Sequence, residues 1–554
     1  MSAHFKWYPS TEEVVVPWNA RYSFPSQANK SVKITPRIPP KNGAVFLPGN
    51  IIRVEFPAQG FVNPINTTFE FDVTLQTFGT STSEIVRFQN NIQSIFNRVR
   101  ILYGATPLED IINYNTIVRA LTEWTSTNQN GTMDQVAIAE GIGGNTIGTD
   151  SAGITSGLVN VRQNFIQGID NSTPLAQTAG TFEVKGTGVG IVPNATLGSG
   201  LTASGASYCT RRYQVNLAAG LMTQDKLLPV KFMASQLAIE FTLEQPSQCM
   251  IVLNNGDTPA SGATPTYGVT NFNMIPEILE FDSSYDAMFL KGLEDGGVPI
   301  KFSSWHTFIF STAGAANVNL QVQERSRSVK ALFTVQRRNP SVFQTDSHAL
   351  LYDSAVYSSG GTTMQNYQYR IGGRYFPAQP VQLSTNIGTS VSNGGAEAFV
   401  ELQKALNVVG DYRLSTSVNP LRWAVPAAST SIAIAATAPT TTAYNELDYM
   451  PYNTGWTANG NPKWVGIEAS GTTAGTNHGN SYVGNMGSNC YASAIDLETS
   501  NGIEISGLNA EEQSDIAFLA NWSAAQQSGW SLEVYSYYDA MLILRPNNVL
   551  ELVQ

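Results

Sequence analysis

The sequence predicts an all-β chain built as two tandem β-sandwiches, with a few short helices and two long loop insertions. Three observations carry this expectation. Apolar and polar residues alternate with period two in one segment after another. Turns rich in Gly, Pro and Asn separate those segments at short intervals. One order of features (strand, proline, helix, insertion, strands) occurs twice along the 554 residues.

The strands follow from the alternation. Ile51–Phe56 opens the series. Phe69, Phe71, Val73 and Leu75 alternate with Glu70, Asp72, Thr74 and Gln76. Leu237, Ile239, Phe241 and Leu243 alternate with Ala238, Glu240, Thr242 and Glu244, and Val318, Leu320 and Val322 with Asn319, Gln321 and Gln323. Such segments set one face on a core and the other toward a polar environment. Further strands are expected at Val99–Tyr103, Thr307–Phe310, Lys330–Gln336, Gln368–Ile371, Ile516–Trp522, Trp530–Tyr535 and Ala540–Leu544.

Three helices are expected. The first runs from Pro107 to about Ser126, capped by Thr106, with Pro107 at the first helical position and Glu109 closing a capping box. Leu108, Ile111, Ile112, Val118 and Leu121 form its apolar stripe. A second spans Ser284 to Leu293, where Glu294-Asp295 and Gly296-Gly297 make a helix end and turn. A third, Ala396 to Leu406, sets Phe399, Leu402 and Leu406 on one side. Residues 127–207 and 424–489 are long insertions, dense in Gly, Thr, Ser, Ala and Asn. They read as outward loops ordered by subunit contacts.

The repeat sets the domain plan. Val99-Arg100-Ile101 ends a strand and Pro107 follows seven residues after the arginine; Tyr369-Arg370-Ile371 and Pro377 keep the same interval. A helix and an insertion follow each proline. Each half then closes with strands: Lys226–Glu244 paired with Met250–Leu253 in the first, Trp530–Val553 in the second. Two related β-domains are therefore expected, 1–270 and 271–554.

Composition narrows the function. Hydrophobic residues make up 42% and aromatics 10%, which rules against disorder. Charged residues are only 13%, about half the usual share. That suits a surface covered by loops or neighbouring subunits. The net charge of −11 and the absence of a basic tail argue against genome binding, and Arg211-Arg212 and Arg337-Arg338 read as strand ends. Three scattered cysteines, Cys209, Cys249 and Cys490, point to a reducing compartment without disulfides. The N-terminus lacks the apolar core of a secretory signal, and no apolar run approaches membrane-spanning length.

Several segments together resemble a family. Gln368-Tyr-Arg-Ile-Gly-Gly-Arg-Tyr-Phe-Pro-Ala-Gln-Pro380 is similar to the strand-and-proline segment in the second domain of large DNA virus capsid proteins. Gln214-Val-Asn-Leu-Ala-Ala-Gly-Leu, Leu227-Leu-Pro-Val230 and the strand to Leu243 resemble the close of the first domain. Asp496-Leu-Glu-Thr, the Ser506-Gly-Leu-Asn509 turn and Tyr537-Tyr-Asp-Ala-Met-Leu-Ile-Leu-Arg-Pro546 resemble the second domain's later strands. In this order they resemble the double jelly-roll major capsid proteins of icosahedral DNA viruses, the virophage and polinton-like relatives above all. The resemblance covers most of the chain outside the two insertions. It implies two eight-stranded jelly rolls and a homotrimer of pseudo-hexagonal outline, the hexon-like capsomer. It also implies a place in the virion shell, assembled inside the host cell. The partners it implies are neighbouring capsomers, penton and minor capsid proteins; direct nucleic-acid binding is not expected, and nothing indicates an internal membrane.

No catalytic, cofactor or metal site is expected. His4, His306, His348 and His478 are scattered without metal-ligand spacing, and His306 reads as a satisfied side chain in an aromatic strand. Gly186-Thr-Gly-Val-Gly190 lacks the strand, helix and lysine of a phosphate loop. Glu446 and Asp448 are too few ligands for Ca²⁺. Trp530, Tyr535, Tyr537 and Tyr538 read as core and subunit packing rather than a sugar platform. The rival readings are a carbohydrate- or receptor-binding β-sandwich, spike or lectin-like, and a β-sandwich glycosidase. The latter needs a carboxylate pair in a cleft, which no sequence feature marks.

Overall fold

A computed structural model describes residues 31–78, 84–88, 92–125, 139–140, 168–170, 206–254, 264–294, 296–311, 315–338, 364–383, 395–409, 453–456, 462–464, 491–498, 506–511, 515–522, 530–545 and 549–554. The main strands of the first half are β1 (Ser31–Ile34), β2 (Ile51–Glu55), β3 (Phe61–Phe78), β4 (Phe96–Tyr103), β5 (Thr106–Ile112), β6 (Ala206–Val215), β7 (Leu237–Leu243) and β8 (Thr264–Phe281). They form two antiparallel sheets, ordered β1-β8-β3-β6 and β2-β7-β4-β5.

The second half repeats this plan. Its strands are β9 (Val298–Ser311), β10 (Asn317–Val322), β11 (Val329–Arg338), β12 (Met364–Ile371), β13 (Arg374–Gln382), β14 (Ser493–Asp496), β15 (Ile516–Trp522) and β16 (Trp530–Arg545). Their orders are β9-β16-β11-β14 and β10-β15-β12-β13, so adding eight to each label of the first half generates the second. In each half the first strand pairs with the eighth and the second with the seventh, across the two sheets of one sandwich. That is the strand order of a jelly roll, present twice.

The expected alternation is seen in the burial. On β2, Ile52 and Val54 are buried while Arg53 and Glu55 point outward; on β7, Leu237, Ile239, Phe241 and Leu243 are buried. Phenylalanines join the first pair of sheets: Phe69 meets Phe241 at 5.1 Å, Phe71 meets Phe96 at 5.7 Å and Phe272 meets Phe241 at 5.3 Å. Tyrosines do this in the second. Tyr369 lies 5.1 Å from Phe518, and its hydroxyl donates to the Ser493 carbonyl at 2.9 Å, so the buried oxygen is satisfied.

Three expectations are corrected. Thr106–Ile112 is not the start of a helix but strand β5, paired with β4 through a turn in which Gly104 takes φ 60°. The helix, α1, spans Tyr114–Thr125 and begins after Asn113, whose φ is 54°. Local capping chemistry at Thr106-Pro107-Glu109 is outweighed by the strand pairing it can form. Second, Met250–Asn254 does not pair with the strand ending at Leu243. It pairs with Glu84–Phe88, which also takes Gly168–Asp170; β8, unforeseen as a strand, closes the first sandwich. Third, the repeated arginines are out of register. Arg100 lies three residues before Tyr103 at the β4–β5 turn, Arg370 one residue before Ile371 at the β12–β13 turn.

The other two helices stand where expected: α2 (Ser283–Glu294) and α3 (Ala396–Ala405). Asp282 caps α2 by accepting the Tyr285 N–H at 3.1 Å. The expected border at 270/271 falls inside β8, whose residues 273 to 281 continue to pair with β3 and β1. Trp530–Tyr535 and Ala540–Leu544, read as separate strands, are one strand, β16. The insertions 127–207 and 424–489 lie largely outside the described residues, apart from short pieces such as the hairpin Asn453–Trp456/Pro462–Trp464. Buried apolar residues of both halves belong to one continuous cluster, so the two sandwiches share a core.

Candidate assembly surfaces

The seam between the sandwiches shows how one jelly roll meets another. The first sandwich contributes β5, α1 and the helical turn Gly220–Thr223 after β6. The second contributes β9 and β11. Trp124 of α1 stacks on Phe333 of β11 at 5.6 Å, and Trp305 of β9 meets the same ring at 5.6 Å. Thr307 donates its hydroxyl to the Ile112 carbonyl at 2.7 Å. Gly220 passes so close to β9 that a Cβ there would sit 2.0 Å from the Ser303 carbonyl oxygen, which only glycine tolerates.

Glu109 is the polar centre of this seam. Its carboxylate is buried and accepts the N–H groups of Gly220 at 2.6 Å and Leu221 at 3.1 Å and the hydroxyl of Ser304. Burial pushes its carboxyl above the usual range, and these three donors pull the other way. Nearby, His306 stacks on Tyr538 at 4.1 Å and bonds Glu324 at 3.2 Å. Burial would raise Glu324, but His306 and the Ser326 hydroxyl outweigh it and hold the carboxyl at about 2. A second aromatic group supports the seam. Phe61 lies within 5.7 Å of Phe232, Phe281, Tyr285 and Phe289, which ties α2 to the first sandwich, and Leu544 of β16 joins the same cluster.

The outer faces of the sheets are the second kind of surface. Across β2-β7-β4-β5, charges alternate in a ladder: Lys41 to Glu55, Glu55 to Arg53, Arg53 to Glu240 at 3.1 Å, Glu240 to Arg100 at 2.6 Å, and Arg98 to Asp110 at 2.6 Å. The other sheet carries Arg212–Asp72 at 2.7 Å, Arg37–Glu70 at 3.5 Å and Lys33–Glu277. Among the described residues, the matching face of the second sandwich carries amide contacts, such as Asn521 to Asn366 at 2.8 Å, and the ion pair Arg370–Asp515.

His306 is a satisfied side chain, as expected. Tyr535 and Tyr538 are buried, and Tyr537 packs on Trp305 at 4.6 Å, so these three tyrosines serve the core. Cys249 is buried and free. His4, His348, His478, Gly186–Gly190, Glu446, Asp448, Asp295 and Cys490 lie outside the described residues, as does the Trp530 side chain. Among the described residues no group of three or more His, Cys, Asp or Glu is placed to hold a metal ion, and no helix is long and apolar enough to cross a membrane. Sequence reasoning missed Glu109 as a seam residue, because its partners at 220, 221 and 304 are remote in the chain.

No protein-family model matches the chain, and no curated protein matches it. Solved structures do. A chain of the Sputnik virophage solved by cryo-EM is 9% identical with a TM-score of 0.47, covering 98% of this chain and 92% of that one. The mavirus major capsid protein is 9% identical with a TM-score of 0.46, covering 99% and 92%. The Faustovirus major capsid protein is 10% identical with a TM-score of 0.46, covering 96% and 93%. The chain is a double jelly roll by its own strand order, and the solved structures it is similar to are double jelly-roll major capsid proteins of icosahedral viruses.

Proposed function

We propose that this chain is the major capsid protein of an icosahedral DNA virus, a non-catalytic subunit that trimerises into pseudo-hexagonal capsomers tiling the virion shell. The observation that carries this reading is the duplication: one strand order, twice in one chain, the copies fused through a continuous core. A subunit with two like sandwiches presents six in a closed trimer, enough to approximate a six-fold tile with three-fold symmetry. A lectin-like or receptor-binding sandwich has no use for the second copy. The burial of Tyr535 and Tyr538 also speaks for packing over a sugar platform. The functional unit is the whole double roll, its two parts joined by α2, with neighbouring capsomers, penton and minor capsid proteins as partners. The insertions 127–207 and 424–489 form its outer face.

The test is the solution mass, by light scattering coupled to size exclusion. A stable species near three times 59.8 kDa, or shells built from it, is expected. A monomer that persists across salt and pH would sink the capsomer reading and return the search to ligands.

A further inference from the structure

Lys330 of the second sandwich is set between two buried carboxylates. It falls at an irregularity where β11 slips against β16, between Val329 opposite Tyr538 and Ala331 opposite Tyr537. The Lys330 carbonyl accepts the Leu497 N–H at 2.8 Å, which brings Glu498 alongside from the end of β14. The Ser328 carbonyl accepts the Asp539 N–H at 2.9 Å, which brings Asp539 alongside from β16. The Lys330 Nζ then lies 2.9 Å from Glu498 Oε1 and 3.8 Å from Asp539 Oδ1, on side chains only 4% and 6% exposed. The Tyr537 ring lies 5.3 Å from the same nitrogen. Both carboxyls are fixed in place. Glu498 accepts from the Ser506 hydroxyl at 3.0 Å and the Asn407 amide at 2.8 Å. Asp539 accepts from the Ser303 hydroxyl on Oδ1 at 2.7 Å and the Ser328 hydroxyl on Oδ2 at 3.1 Å.

The two carboxylates stand in different relations to the nitrogen. Glu498 is within proton-transfer reach. Asp539 is beyond that reach but adjacent, with a hydroxyl on each oxygen. We propose that Lys330 and Asp539 condense into an amide bond inside the folded chain, with Glu498 as the proton carrier. Burial lowers the Lys330 amine, but Glu498 and Asp539 outweigh it and hold it above the usual lysine range, so the resting group is an ammonium. The attacking amine is therefore made in place, as a proton passes to Glu498. The Nζ–Cγ bond forms, the Cγ–Oδ1 bond breaks, and Oδ1 leaves as water. Both protons of that water come from the ammonium by way of Glu498, which ends as a carboxylate. One ammonium and one carboxylate become a neutral amide and water, so no co-reactant is needed. The Ser328 hydroxyl on Oδ2 faces the oxygen that gains charge as the nitrogen attacks. Removing two buried charges favours the product, and holding the groups in one site replaces chemical activation. The step happens once per chain, so a slow rate suffices. The bond staples β16 to β11 and closes a covalent loop that contains the 424–489 insertion. It is independent of the trimer proposed above.

Intact-mass spectrometry of the full chain tests this, with circular dichroism confirming the β-sheet signal. Wild type should be one water lighter than its sequence, and a protease digest should yield a branched peptide joining Lys330 to Asp539. Lys330→Met and Asp539→Ala should each run at full mass, and Glu498→Gln should stay unlinked or link far more slowly. The wild-type digest decides the bond even where a variant does not fold. A folded wild type at full mass overturns the inference, as does a branched peptide that runs through Glu498 in place of Asp539. Linkage of Glu498→Gln at the wild-type rate overturns the role given to Glu498.

Discussion

The two sandwiches share a strand order and differ in what covers them. In the first, the central strands keep the period-two pattern of a sheet with one wet face, and its outer positions carry ion-pair ladders. In the second, β16 is buried on both faces from Ser531 to Ala540 apart from half-buried Tyr537, and β11 is buried from Ala331 to Gln336. Trp124 of α1 and the helix α3 lie against this sheet. Its polar side chains pair internally: Asp539 accepts from Ser303 at 2.7 Å and Ser328 at 3.1 Å, and Lys330 meets Glu498 at 2.9 Å. One topology thus accommodates two kinds of sequence, set by whether the sheet's outer face meets water or protein. Topology constrains which strands pair; the surroundings decide which residues they carry.

Phe333 should break the comparison most strongly. It sits between Trp124 and Trp305, so it belongs to both the second core and the seam. Phe333→Ala should cost about 3–5 kcal/mol, the usual loss for a buried aromatic. Phe71→Ala, in the first core alone, should cost a similar amount. The two differ in cooperativity. In denaturant, tryptophan fluorescence and far-UV circular dichroism should keep coincident transitions for Phe71→Ala and separate for Phe333→Ala, because only the latter uncouples the halves. Coincident curves for both would mean that the continuous core, not the seam ring, couples them.

Glu109 comes next. Glu109→Ala leaves two backbone N–H groups and the Ser304 hydroxyl buried without their acceptor, and should lower stability by about 2 kcal/mol. Glu109→Gln keeps one acceptor oxygen and removes a carboxyl that burial disfavours when charged, so its loss should be smaller. Equal midpoints in urea for Glu109→Gln and Glu109→Ala would show that the acceptor geometry contributes nothing.

The same contrast explains what was legible from sequence. β7, β10 and β15 were foreseen almost to their ends, because one wet face leaves a clean alternation or an apolar run between turns. β16 was split because Ser536 to Asp539 looks like a break; those residues are buried, and Asp539 has partners on β9 and just before β11. β8 went unseen because Pro265, Gly268, Asn271, Asn273 and Pro276 resemble turn residues. Its pairing with β3 slips at two irregularities, between Thr270 and Asn273 and between Ile275 and Glu277, which fit those residues into the sheet. The order of motifs conveyed the double architecture better than any single motif, since the arginine match was out of register. The seam was not legible at all. Glu109 looks like a capping residue until Gly220 and Ser304 arrive from elsewhere in the chain.

The ladder on the first sandwich should give the smallest effect and a different dependence. Glu240 is held between Arg53 and Arg100 with its side chain 12% exposed. Glu240→Gln should lower stability by about 0.5–1 kcal/mol at low ionic strength, the range for partly exposed pairs. Added salt should shrink the difference, because the screening length falls to about 3 Å near 1 M. Asn521→Ala, which removes an uncharged amide contact on the matching strand of the second sandwich, should cost an amount that salt leaves unchanged. Urea midpoints for both variants and wild type, measured across a salt series, check this. A salt-dependent loss confined to Glu240 would mean that the first sandwich's outer face is tuned by ionic strength while the second's is not. A salt-independent loss there would mean that Glu240 acts through hydrogen-bond geometry, and that the two outer faces are alike in their energetics despite their different residues.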